Sequence, residues 1–157
     1  MNKKISYLCM IIIVLLYEAC ALKDNDNCHH SITIINIGDF DIYYSISPDV
    51  PISAQVLVSN PQFYKIGTHT SKKDRWRNCI EYEFTIGTSF SDGRFEPLDS
   101  MKVYIFDAHV LEQELKYKTL RRYDLGLKDF KHLNWKISYP PNEEMKDVVM
   151  HPPYRSE

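Results

Sequence analysis

Hydrophobic and polar positions along this chain read mostly as strands. Ser31–Ile37, SITIINI, is rich in β-branched residues, and the GDF turn after it leads into DIYYSIS, so the two segments predict a hairpin. Pro48, Pro51 and Pro61 frame a stretch from Ser47 to Asn60 that reads as irregular, and a third strand is expected near Phe63–Thr68. In IEYEFTI, Ile80, Tyr82, Phe84 and Ile86 alternate with Glu81, Glu83 and Thr85, the pattern of a half-buried strand. A short helix carrying Trp76, Ile80 and Phe84 is the rival reading there. Phe90–Ser100, FSDGRFEPLDS, has the Gly, Pro and Asp content of a loop.

The second half is more sharply patterned. Met101–Asp107, MKVYIFD, is apolar enough for a central strand, and Asp107 can cap a short helix running through Leu115. KTLRRYDL is the next strand. Leu125 and Phe130 then have the spacing of a hydrophobic staple around a cap at Gly126, and Leu127, Phe130 and Leu133 share one face of the helix LKDFKHL. WKISY alternates Trp135, Ile137 and Tyr139 against Lys136 and Ser138, a strand ended by Pro140 and Pro141, and VVM adds a short edge strand. The pattern predicts one α+β, mostly β domain over residues 31–157, an antiparallel sheet or sandwich with two short helices. Neither helix is long enough to be stable alone, so each must lay an apolar stripe on the sheet. Val103 and Ile105 are expected to be buried with Ile34 and Trp135 beneath Phe130.

The first thirty residues follow a different rule. Behind Lys3 and Lys4, Ile5–Tyr17 carries no charge and only Ser6 as a polar interruption. Thirteen helical residues reach about 20 Å, short of a ~30 Å hydrocarbon core, and the basic start followed by an apolar run is the pattern of a secretory signal. Two cleavage points are open. Cleavage before Cys20, with lipid added to that cysteine, finds Tyr17, Glu18 and Ala19 ahead of it, of which only Ala19 fits well. Cleavage before Leu22 reads Ala19-Cys20-Ala21 as an A-x-A site. Leu22–Asn27, LKDNDN, is polar and acidic without a hydrophobic pattern and suits a solvated tether, which favours the lipid. The expected organisation is a lipoprotein-type signal peptide at 1–19, a lipidated tether at 20–30, and the domain beyond.

Cysteine usage agrees with export. Of Cys9, Cys20, Cys28 and Cys79, the first leaves with the signal and the second is either acylated or kept in the mature chain; on the lipoprotein reading two thiols remain in a compartment where disulfides persist. A Cys28–Cys79 bridge would close a loop of about fifty residues, worth roughly 4 kcal/mol in the chain-entropy model. The alternative is two small buried hydrophobes.

Composition narrows the function classes. The chain of 157 residues has formal charge −2, and loss of Lys3, Lys4 and Glu18 with the signal takes it to −3 over the remaining 138. That length suits one domain burying about two-thirds of its unfolded surface. A slightly acidic chain lacks the concentrated basic face that nucleic acid requires, and its one basic cluster, Ser71–Arg77, reads as a charged turn.

The segments MKVYIFDAHVLE, RRYDLGLKDFKHLNWKISYPP and MKDVVMHPPY, with CHHSITIINI and DIYYSIS, resemble a family of small Bacteroidetes lipoproteins with no assigned activity. The resemblance spans most of the chain after the signal, and the RYDL…LNWKISYPP run carries most of it. The relatives often have serine where Gly126 stands and tryptophan where His151 stands. The resemblance implies export, lipidation at Cys20 and a small globular domain; it implies no reaction.

The residues do not supply one either. GTSFSDG lacks the second glycine of a nucleophile elbow, and the five glycines are too scattered to cradle a phosphate. DNDNCH begins like a calcium loop at Asp24 and Asp26, but His29 stands where glycine is needed and Ile35 where a bidentate glutamate is needed. Cys28, His29 and His30 are soft-metal ligand types without a metal-site spacing and read as a solvated lead into the first strand. Two carboxylate pairs, Glu81 with Glu83 and Glu112 with Glu114, could run glycoside hydrolysis at suitable separations, yet alternating acids are also what a half-buried strand shows to water. No catalytic, metal or cofactor residue is assigned. The expectation is a monomeric, lipid-anchored cell-envelope protein that faces the periplasm or the surface, meets the membrane through Cys20 and binds a glycan or an envelope protein with exposed tyrosines and Trp76. The alternative is a membrane-held inhibitor or immunity-type protein, and a small hydrolase ranks below both.

Overall fold

In the computed structural model, which describes residues 30–74, 81, 84, 88–89 and 95–155, the apolar run Met101–Asp107 is the central strand of a five-stranded sheet. In chain order the elements are β1 (Thr33–Asn36), β2 (Ile42–Ser47), α1 (Ala54–Ser59), α2 (Pro61–Tyr64), β3 (Lys65–Ile66), β4 (Thr70–Lys73), β5 (Thr88–Ser89), β6 (Phe95–Glu96), β7 (Met101–Asp107), α3 (Ala108–Glu114), β8 (Thr119–Leu125), α4 (Leu127–His132), β9 (Lys136–Tyr139), a 3-10 turn at Glu143–Met145, and β10 (Val149–His151). The large sheet runs β10-β8-β7-β2-β3 and is antiparallel throughout. A three-stranded sheet, β4-β1-β9, lies across from it, and β5 with β6 forms a small ladder. The α+β, strand-rich class is as the pattern predicts.

One core cluster joins the inner faces of the two larger sheets. Ile34 from β1, Ile137 from β9, Val103 and Ile105 from β7, and Trp135 and Phe130 all belong to it, and the Tyr123 hydroxyl on β8 donates to the Ser138 carbonyl of β9 across the gap at 2.7 Å. Leu125 and Phe130 are fully buried around α4, as the staple spacing requires. Gly126 leaves the N-cap without a side chain, and the Asp129 carboxylate accepts from its N–H at 2.8 Å instead. A second cluster covers the opposite face of the large sheet, where Ala54 and Leu57 of α1 and Ala108 and Leu111 of α3 pack on Tyr43 and Phe106. This is why β2 is buried on both faces: Ile42, Tyr44 and Ile46 face the first cluster and Tyr43 the second.

Several expectations are corrected. β1 and β2 do not form a hairpin. β1 pairs antiparallel with β4 and parallel with β9, in register from Thr33↔Lys136 to Asn36↔Tyr139. The long chain between β1 and β9 supplies the crossover that parallel pairing needs, and the turn at Gly38–Phe40 carries the chain from one sheet to the other. The stretch from Ser47 to Asn60 is not irregular throughout. Ser53 caps α1, its hydroxyl accepting from Val56 N at 3.4 Å, and Ala54 and Leu57 give the helix a buried face. The strand expected at Phe63–Thr68 shrinks to Lys65–Ile66, because Pro61 opens a helical turn at its favoured first position. Glu81 and Phe84 are helical, not extended, and both are buried. Residues three apart share a helix face, whereas strand alternation would send them to opposite faces. The basic cluster starts inside β4, with Asp74 after it buried, and Phe95–Glu96 is strand within the expected loop.

Cys20, Cys28 and Cys79 lie outside the described residues, as do the signal segment, the tether up to His29, Trp76 and Glu83. Among the described residues no helix is long and apolar enough to cross a membrane.

Candidate binding cleft

The turn that ends β1 and the end of β7 meet at one end of the large sheet. Ile42 pairs with Asp107 in the β2–β7 ladder, which sets Asp41 beside the start of α3, where Ala108 N donates to its carbonyl at 3.4 Å. Lys65 arrives from β3, paired with Tyr43. α3 leaves the sheet here because the Asp107 carboxylate accepts from Val110 N at 3.2 Å, an N-cap the sequence anticipates. These elements enclose a cleft of about 460 Å³ whose walls are Phe40, Asp41, Lys65, Asp107, Ala108, His109, Glu112, Lys118 and Leu120.

The charges in the cleft are paired with one another. Lys65 Nζ lies 2.9 Å from Glu112 Oε1 and 3.2 Å from Asp41 Oδ2. Tyr43 donates its hydroxyl to the same Glu112 oxygen at 3.0 Å. Lys118 Nζ donates to Asp107 Oδ2 at 2.8 Å, and Thr68 N donates to Asp41 Oδ1 at 3.2 Å. The protonation states follow. The Lys65 hydrogen bond holds the Glu112 carboxyl below the usual carboxylate range, with the Tyr43 hydroxyl adding to it, and Glu112 in turn pushes the Lys65 ammonium up. Lys118 holds Asp107 down. Burial first, and then the hydrogen bond to Glu112, pushes the Tyr43 phenol up to about 12.

General acid–base work calls for groups that titrate near the working pH. Here Glu112 and Asp107 are moved away from it as carboxylates and Lys65 as an ammonium. Together they form an array of paired donors and acceptors, with His109 in the same wall. Among the described residues no group of three or more His, Cys, Asp or Glu side chains is placed to hold a metal ion.

Of the carboxylate pairs read from the sequence, Glu83 lies outside the described residues, and Glu112 and Glu114 turn to different partners. Glu112 turns to Lys65 and Tyr43, while Glu114 meets Lys116 at 3.5 Å. Glu81 is not an exposed strand residue: its Oε1 is 2.5 Å from His30 Nδ1, and its side chain is mostly buried. His30 is more than a solvated lead into the first strand. Its ring stacks on Trp135 at 4.8 Å and 10°, and Trp135 stacks on Phe130 at 5.6 Å and 14°. Phe40, Asp41, Lys65 and Lys118 carried no signal in the sequence as site residues, because they are drawn together from three separate segments.

No known protein family, curated protein or solved structure matches this chain.

Proposed function

We propose that the chain is an exported cell-envelope protein, anchored by lipid on Cys20, whose domain is a non-catalytic binding module with the cleft between Phe40 and Lys118 as its contact site. The anchoring half rests on the basic and apolar leader and the acidic tether after Cys20. Two acyl chains or more on one residue give durable attachment without a spanning helix.

The observation that carries the binding half is where the cleft sits relative to the tether. The chain joins the domain at His30, pinned by Glu81 and Trp135. It then runs as one extended ladder, from the bond of Asp74 N to the Ile32 carbonyl to that of Ile37 N to the Tyr139 carbonyl. Five steps of strand carry it about 17 Å before the turn that sets Phe40 and Asp41 on the cleft. A domain held through its N-terminus would offer that cleft at the end away from its anchor.

Palmitate labelling and membrane fractionation of wild type against Cys20→Ala test the anchor. Label and membrane association are expected only in wild type; equal label in both, or a mature chain starting at Leu22, overturns it. Capture from envelope extract by the full chain tests the binding half. A retained component that is lost on Lys65→Ala supports it, and capture indifferent to that change overturns it.

A further inference from the structure

We infer that the cleft takes a neutral, polyhydroxylated ligand of the glycan class, an inference that rests on the binding reading above and names its ligand chemistry. Charge argues first. Both lysines of the cleft are already on carboxylates, at 2.9 and 3.2 Å for Lys65 and 2.8 Å for Lys118. An anionic ligand would have to displace Glu112, Asp41 or Asp107 and then sit among them. A cationic ligand would meet two ammonium groups beside those carboxylates, against the single negative charge by which three carboxylates exceed two lysines. A ligand without formal charge meets neither cost.

Hydroxyls also fit the capacity that remains. Glu112 receives Tyr43 and Lys65 on Oε1, which leaves Oε2 to accept from a ligand hydroxyl. Lys118 uses one of its three N–H donors on Asp107. A hydroxyl donates and accepts at one oxygen, so neighbouring hydroxyls on a sugar ring can bridge such groups, and bonds to ionised partners are the stronger kind. The cleft is not wholly polar. Phe40 keeps 44% of its surface exposed while it meets Tyr139 in a T-shaped contact at 6.1 Å, and Leu120 and Ala108 complete an apolar side. A ring with hydroxyls at its edge and C–H groups on its face presents both kinds of surface. The volume of about 460 Å³ falls in the ~300–1,000 Å³ range of small-ligand sites.

The test is calorimetric titration of the detergent-solubilised full chain with cello-, malto-, xylo- and manno-oligosaccharides. Oligogalacturonate and a sulfated oligosaccharide serve as charged comparators, at low and high salt. At least one neutral oligosaccharide should bind with an affinity that salt leaves unchanged. Phe40→Ala should weaken it about tenfold by removing apolar contact with the ring face, and Glu112→Gln about tenfold by removing one charge-assisted contact, while Lys136→Ala, on an exposed position of β9, should not. Failure of every neutral sugar, binding indifferent to Phe40→Ala, or salt-sensitive binding of the charged sugars alone overturns the inference. If the sugars fail while the chain still captures an envelope protein through Lys65, the glycan class falls and the binding reading stands. If neither is seen, both fall.

Discussion

The buried Asn36 side chain holds Phe40 in place: its carboxamide donates to the Phe40 carbonyl at 2.8 Å. The same nitrogen donates to the Gly67 carbonyl at 3.1 Å, and the side-chain oxygen accepts from Gly38 N at 3.1 Å. One polar residue thus ties the turn after β1, which lines the cleft, to the turn between β3 and β4. Gly38 has little room to be anything else, since an added Cβ would stand 3.3 Å from both Asn36 Oδ1 and Pro140 Cδ. Asn36→Ala strands the Phe40 carbonyl and the Gly38 N–H, while the Gly67 carbonyl keeps the Thr70 hydroxyl at 2.7 Å. At about 1–3 kcal/mol for each group left without a partner, the loss should be at least ~2 kcal/mol. Asp39→Ala, on a nearly fully exposed side chain of the same turn, should change stability by less than about 0.5 kcal/mol. Urea melts of the two variants check this, and similar losses in both would show that Asn36 does not organise the turns.

The ion pairs of the cleft give stability a pH signature with two limbs. Glu112 and Asp107 have folded-state pKa values below their unfolded ones. Their contribution is therefore present above the unfolded value of about 4 and is lost as pH falls through the folded ones. Lys65 is raised, and Tyr43 is raised to about 12. Theirs is present below the unfolded values near ~10 and is lost as pH rises towards the folded ones. Most of these side chains are partly exposed, so both limbs should be shallow and flattened by salt. Glu112→Gln should flatten both limbs, because Lys65 and Tyr43 lose the partner they share. Thermal melts across pH check the pattern; an acid limb unchanged in Glu112→Gln and in Asp107→Asn would assign it elsewhere.

Local pattern was a good guide where one face of one element meets one core. Asp107 announced both the end of β7 and the cap of α3, and the Leu125–Phe130 spacing announced α4. The pairing partners were less legible. The short GDF turn favoured a hairpin, but nothing local in SITIINI says that its neighbour is KISY a hundred residues on. α1 had a readable signal in Ser53 with Ala54, Leu57 and Val58 at helical spacing, which the surrounding prolines obscured. The cleft had no comparable signal. Asp41, Lys65, Glu112 and Lys118 become neighbours only through the order of β3, β2 and β7, so no motif in the chain spells them.

Phe130 should be the most costly single truncation on α4. It is fully buried, stacked on Trp135, tilted against Phe84 at 5.9 Å, and part of the cluster that holds Val103, Ile105 and Ile34. Phe130→Ala should cost about 3–5 kcal/mol as a core truncation. Lys128→Ala, on the exposed side of the same helix, should cost almost nothing. Chemical denaturation of the pair checks the docking of α4, and two equally mild variants would refute it.

Cys28 and Cys79 lie outside the described residues, but residues close to each of them in sequence do not. Cys28 stands two places before His30 and Cys79 two places before Glu81, and His30 and Glu81 meet at 2.5 Å. Residues so near to a contacting pair have short chains to cross, which supports a Cys28–Cys79 disulfide at the point where the tether joins the domain. Cys28→Ser should then lower stability by roughly 2–4 kcal/mol. Cys79→Ser should do the same, and the double variant should be no worse than either, since both changes break one bond. Purified without reductant and then unfolded, a mature chain acylated at Cys20 should react with no thiol reagent. Two reactive thiols in that preparation, or additive losses in the double variant, would mean that the two cysteines act as separate buried side chains.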